Sequence, residues 1–217
     1  MSHQNIVKCH GLIPTVSSTV GSSNWYLFLE YMDMGSIKNT YKSFGHIEEN
    51  FAKYITKEVL KGLAFLHGNG IVHRDIKADN ILFNSANEIK IGDFGITKRL
   101  YPSNAGEFGL QTKMVGTLTH MAPEIRFSNC PTTLYASSVD IWSLGCTVLE
   151  MLTGDDPKIV FTFDNMDTSC CCTYERPRNI TNACFQFIQG ILSVNPANRP
   201  TVDNLIINPQ MTFAHVE

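Results

Sequence analysis

No run of 18 or more apolar residues interrupts the 217-residue sequence, so no helical membrane span is expected. The first residues, Met1-Ser2-His3-Gln4-Asn5, are polar and lack the apolar core of a secretory signal. Charge is sparse: Asp, Glu, Lys and Arg make up 17% and the net charge is −3. No excess of basic residues argues for nucleic acid or an anionic lipid surface, so any phosphate chemistry must come from a local site. The seven cysteines are an odd number without a Cys-x-x-Cys pair, which reads as reduced thiols in a cytoplasmic protein. Cys170-Cys171-Cys172 does not match zinc-ligand spacing and reads as a loop of free thiols.

What is present is enough apolar residue, 43%, to bury one sizeable core. Trp25 to Tyr31 reads as a strand, preceded by a turn over Ser17-Ser18 and Gly21 to Asn24. Apolar residues at 51, 55, 59, 63 and 66 predict an amphipathic helix over Glu48 to Leu66, stopped by His67-Gly68-Asn69-Gly70. Ile81 to Phe83 and Ile89 to Ile91 flank Asn84 to Asn87 and predict a small hairpin. Leu100 to Thr117 reads as a long loop. Val139 to Leu152 is apolar nearly all round, as a helix buried on most sides would be, and Gly154 ends it. Asp155 to Asn179 reads as irregular, and Ala183 to Leu192 as a further helix.

Three acid and amide groups are brought together by this pattern. Asp75 lies in the loop between long helix and hairpin, and Asn80 is five residues on. Asp93 follows the hairpin, which folds it back toward Asn80. Two acids and an amide oxygen in one pocket suit Mg²⁺. Phosphoryl transfer needs little more than positioned phosphates, metal ions and a carboxylate near the attacking hydroxyl.

His73-Arg74-Asp75-Ile76-Lys77-Ala78-Asp79-Asn80, Asp93-Phe94-Gly95 and Ala122-Pro123-Glu124 resemble, in order and spacing, the three signatures of the eukaryotic protein kinases. The resemblance implies a kinase-like α+β fold: a mostly helical C-terminal lobe with a few short strands. Residues 1–36 would be the end of a truncated N-terminal lobe with the hinge, and 37–217 the C-terminal lobe. It also implies ATP-dependent transfer of phosphate to protein serine and threonine hydroxyls. Asp75 would orient the hydroxyl, Lys77 would neutralise the transferring phosphate, and Asn80 and Asp93 would hold Mg²⁺. Lys77 in that place resembles the serine/threonine rather than the tyrosine pattern.

Glu30-Tyr31-Met32 resembles the hinge, whose backbone binds adenine. Leu29 would guard the back pocket and Leu82 would lie beneath the ring. Asp140 would anchor the catalytic loop, Arg199 would pair with Glu124, and His73 and Phe94 would belong to the packed spine. Thr117 resembles the threonine that contacts the catalytic aspartate and lysine. Arg74 beside Asp75 implies control by a phosphate on the long loop, with Thr112 and then Ser103 as the candidate residues.

Ser2 to Val7, Leu66-His67 with Ile71 to Lys77, and Gly92 to Gly95 through Leu100 resemble the mitogen-activated protein kinase kinase kinases. A protein substrate, a downstream kinase among them, would be the partner.

Two departures accompany the resemblance. The sequence contains no G-x-G-x-x-G, and Asn5-Ile6-Val7-Lys8 fits the segment after the first-lobe helix, so Lys8 reads as a surface lysine. Poor ATP binding and slow or no phosphate transfer by this chain are therefore expected, and a second role as a binding or regulatory lobe stays open. His120 stands where the family usually carries an aromatic residue.

Overall fold

The computed structural model describes residues 2–14, 25–99, 116–127, 137–163 and 170–207. Ser103, Thr112, Cys130, the turn at 17–24 and most of the loop from Leu100 onward lie outside the described residues.

Two helices carry the core. Helix α2 (Glu49–Gly68) buries Ala52, Ile55, Val59, Leu60, Leu63 and Leu66. The expected stripe holds from Ile55 onward, but Phe51 sits at the exposed end of the helix and Ala52 takes the inward place. Helix α4 (Ser138–Thr153) is buried from Val139 to Leu152 and packs against α2 and against α5 (Asn182–Ile191). Each fully buried Leu or Ile there contributes roughly 2 kcal/mol. Gly154 ends α4 in the left-handed conformation, its amide bonded to the Glu150 carbonyl.

Short elements dress this pair. Helix α1 (Ile37–Phe44) is capped by the Ser36 hydroxyl, which accepts from the Asn39 amide. Helix α3 (Pro123–Arg126) starts on a proline, and α6 (Val202–Ile206) is capped by Thr201. No helix of the described residues is long and apolar enough to cross a membrane.

Among the described residues the strands form four antiparallel pairs. Strand β1 (Cys9–Pro14) pairs with β2 (Trp25–Leu29), and apolar side chains of both are largely exposed. The two-residue β3 (Ile71–Val72) pairs with β6 (Lys98–Arg99), clasping the segment between them. Strands β4 (Ile81–Phe83) and β5 (Ile89–Ile91) form the expected hairpin. Strands β7 (Val160–Phe163) and β8 (Cys170–Thr173) form another, inside the stretch expected to be irregular. The three consecutive cysteines are thus a strand and not a loop. Phe161 anchors the hairpin, its ring 5.9 Å from Trp142 and 5.0 Å from Phe127.

Candidate active site

The loop from His73 to Asn80 is held from below by α4. Asp140, fully buried in the first turn of α4, accepts the amides of His73 (2.9 Å) and Arg74 (2.7 Å) and pairs with His67 Nε2 (2.8 Å). Arg74 has φ of +71°, a conformation that non-glycine residues adopt only when neighbours compel it. Thr147 Oγ1 donates to the Ile76 carbonyl, and Glu150 Oε2 accepts the Ala78 amide at 3.1 Å. Ser143 Oγ donates to the His120 carbonyl. Positions 140, 143, 147 and 150 lie at helical spacing, so one polar stripe in an otherwise apolar helix receives the backbone of the loop and, through Ser143, that of the Leu118–His120 turn. The sequence reading assigned Asp140 this role and missed Ser143, Thr147 and Glu150. Their 3-4-3 spacing in an apolar helix was the available signal.

Above that support, Asp75 is nearly buried. Its Oδ2 faces Lys77 Nζ at 2.8 Å and accepts from Asn80 Nδ2 at 2.9 Å. Its Oδ1 accepts from the Thr117 amide (3.1 Å) and hydroxyl (2.9 Å), and Lys77 Nζ also donates to Thr117 Oγ1 at 2.7 Å. Burial pushes the Asp75 carboxyl up, but the Lys77 ammonium and the Thr117 donors outweigh it and hold the group below the usual carboxylate range. Gly116 makes the approach of Thr117 possible. Its φ is +119°, and a Cβ there would stand 2.9 Å from the Arg74 carbonyl.

Asn80 bonds the Asp75 carbonyl and carboxylate through the same nitrogen, which leaves its Oδ1 for a cation. The β4–β5 register sets Asn80 beside Gly92, whose amide donates to the Asn80 carbonyl at 2.8 Å. Asp93 follows, exposed, at φ +55°, with Oδ1 accepting the Gly95 amide and Oδ2 left over. These two oxygens are hard, partly preorganised donors of the kind Mg²⁺ takes. His73 Nε2 donates to the Gly92 carbonyl, and its ring meets Phe94 edge-on at 5.1 Å. Arg74 donates through Nε to the Ile96 carbonyl at 2.7 Å, and its Nη2 contacts the same oxygen.

At the hinge-like segment, the Glu30 carboxylate accepts the Lys8 amide (2.6 Å) and pairs with Lys90 (2.8 Å). Burial opposes ionisation of Glu30, and Lys90 overcomes it. The side chain is therefore a tie and the Glu30 amide donates to the Lys8 carbonyl at 2.9 Å, which leaves the Glu30 carbonyl for a ligand. Met32 is buried and its carbonyl accepts the Gly35 amide. Leu29 is half exposed, and Leu82 lies over Gly92, where a Cβ would meet its Cδ1. Arg199 and Glu124 form a two-pronged pair, both contacts at 2.7 Å.

Residues 1–211 match the family described as the protein kinase domain, and the chain belongs to that family. It is similar to "MAP kinase kinase kinase mkh1" of Schizosaccharomyces pombe, 34% identical over 97% of this chain and 19% of that protein. It is also similar to "Mitogen-activated protein kinase kinase kinase 3" of Arabidopsis thaliana, at 36% over 96% of this chain and 32% of that protein. The namesake from Mus musculus is 38% identical over 95% of this chain and 32% of that protein. The chain thus spans no more than about a third of these relatives. In fold it resembles the "Crystal structure of Rad53 kinase domain and SCD2", with a TM-score of 0.72, 27% identity, and coverage of 98% of this chain and 71% of that one.

Proposed function

We propose that the chain carries the phosphoryl-transfer centre of a serine/threonine protein kinase that acts in a mitogen-activated protein kinase cascade, with a downstream kinase as substrate. The observation that supports this best is the triangle of Asp75, Lys77 and Thr117, closed by contacts of 2.7 to 2.9 Å. Such a triangle keeps Asp75 ionised and immobile at a site that a hydroxyl can approach. Residues up to about 36 serve as the end of the first lobe and hinge, with Glu30, Met32 and Leu82 beside the adenine, and residues from 37 onward form the second lobe.

In this reading Asp75 accepts the proton of the substrate hydroxyl and aims its oxygen at the terminal phosphorus of ATP. Lys77 places a positive charge beside the transferring group, and Thr117 holds both in register. Asn80 and Asp93 would hold Mg²⁺, which supplies charge neutralisation across the phosphates when bound. The family resemblance favours a cytoplasmic setting.

The test is nucleotide binding and phosphate transfer by the purified chain. Expected are ATP binding that requires Mg²⁺, its weakening in Asn80→Leu and Asp93→Asn, and transfer abolished in Asp75→Asn with folding retained. Binding indifferent to Mg²⁺ and to both substitutions, or transfer that survives Asp75→Asn, would overturn the proposal.

A further inference from the structure

Glu150 is fully buried, and the transfer reading gives it no role. A carboxylate taken from water costs several kcal/mol unless donors surround it. Here they come from three separate segments. From α1, the Tyr41 hydroxyl donates to Oε1 at 2.8 Å and Lys38 Nζ stands 3.8 Å away. From the catalytic loop, the Ala78 amide donates to Oε2 at 3.1 Å. From the turn Leu118–His120, His120 Nε2 reaches the same Oε2 at 3.0 Å. The other charged groups nearby, Asp79 and Asp156, face Lys38 and not the glutamate.

The sharing of one oxygen is what matters. Ala78 directly follows Lys77, and His120 comes three residues after Thr117. Lys77 and Thr117 are the two residues that grip Asp75. Each is therefore tethered, through the chain just beyond it, to Glu150 Oε2. The histidine ring is itself fixed, with Nδ1 3.0 Å from Thr119 Oγ1 and the carbonyl accepting from Ser143. An all-carbon aromatic ring at 120 could fill the space but could not donate to Oε2.

We infer that His120 and Glu150 are a positioning pair that sets the distance between Lys77 and Thr117, and so the seat of Asp75. The inference concerns how the proposed transfer site is built and in that respect rests on the kinase reading. The geometry it predicts can be measured without any phosphate transfer.

Residue-resolved hydrogen exchange on the full chain provides the test, with the His73 and Arg74 amides as internal controls, because Asp140 holds those from the far end of α4. In His120→Leu the Ala78 amide should exchange about tenfold faster, the equivalent of one lost hydrogen bond, while the control amides change by less than about threefold. His120→Gln, which returns a donor at the Nε2 position, should restore protection. In the unsubstituted chain the His120 imidazole proton should exchange slowly and show a nuclear Overhauser contact to the Ala78 amide.

Unchanged protection of Ala78 in His120→Leu would overturn the inference. So would a parallel rise at Ala78, His73 and Arg74, which would make the pair a general stabiliser. If the leucine variant does not fold, the missing contact in the unsubstituted chain is the overturning result. ATP binding indifferent to Mg²⁺, Asn80→Leu and Asp93→Asn would sink the kinase reading and leave these exchange results as they are.

Discussion

Asp140 holds Arg74 in a left-handed conformation, its Oδ1 accepting the Arg74 amide at 2.7 Å while φ sits at +71°. The same carboxylate satisfies the His73 amide and His67. Removing it would leave buried donors unmet and release the strain. Asp140→Ala should cost about 3–5 kcal/mol in urea unfolding, and Asp140→Asn, which keeps one acceptor, clearly less. Equal losses in the two would mean that side-chain volume and not hydrogen bonding supports the loop.

Thr117 Oγ1 bridges Asp75 and Lys77, donating to one and accepting from the other. Valine has the same shape and neither capacity. Thr117→Val should lower phosphate transfer by roughly a hundredfold, the scale of a misplaced reacting group, while Thr117→Ser should stay within roughly tenfold of the parent. Melting temperatures should hardly move in either, since Thr117 is only half-buried.

The ionised state of Glu150 is predicted to show in the acid limb of stability. Burial pushes this carboxyl up, but His120, Tyr41 and the Ala78 amide outweigh it and leave it below the ordinary value. A depressed carboxylate contributes stability above its unfolded value, about 4.3, and loses that contribution as pH falls through the folded value. Glu150→Gln should therefore melt lower than the parent by an amount that is greatest near neutral pH and narrows below about pH 4. A gap that widened on acidification would mean Glu150 is protonated in the fold.

Much of this was readable in the sequence, and what was not has physical causes. Helices α2 and α4 declare themselves because long amphipathic or apolar runs sum many weak preferences. The β4–β5 hairpin is marked by its turn, where Asn87 tolerates a positive φ of 61°. Strands β7 and β8 have four residues each, too few for an alternation to stand out. Strand β1 contains Gly11 and Pro14, residues that weaken any strand signal. At the site, Asp75 and Asp93 carry their chemistry in local motifs. The tie of Glu30 to Lys90 spans 60 residues, and that of His120 to Glu150 spans 30, so only folding reveals either.

Arg199 supplies the sharpest contrast between charge and shape. Its side chain is wholly buried and places all five of its donors: two on the Glu124 carboxylate, the others on the carbonyls of Ser138, Ser193 and Val194. Its guanidinium also lies 5.0 Å over the Trp142 ring. Lysine keeps the charge but has three donors around one nitrogen and no plane to stack. Arg199→Lys would give up bonds to these carbonyls and would hold Glu124 by one contact from position 199 where arginine makes two. The expected loss is about 3 kcal/mol, read as a fall in the urea midpoint with an unchanged slope. If charge alone mattered, lysine would match arginine, and Arg199→Met would be the only damaging change. The geometry predicts instead that lysine behaves far more like methionine than like arginine.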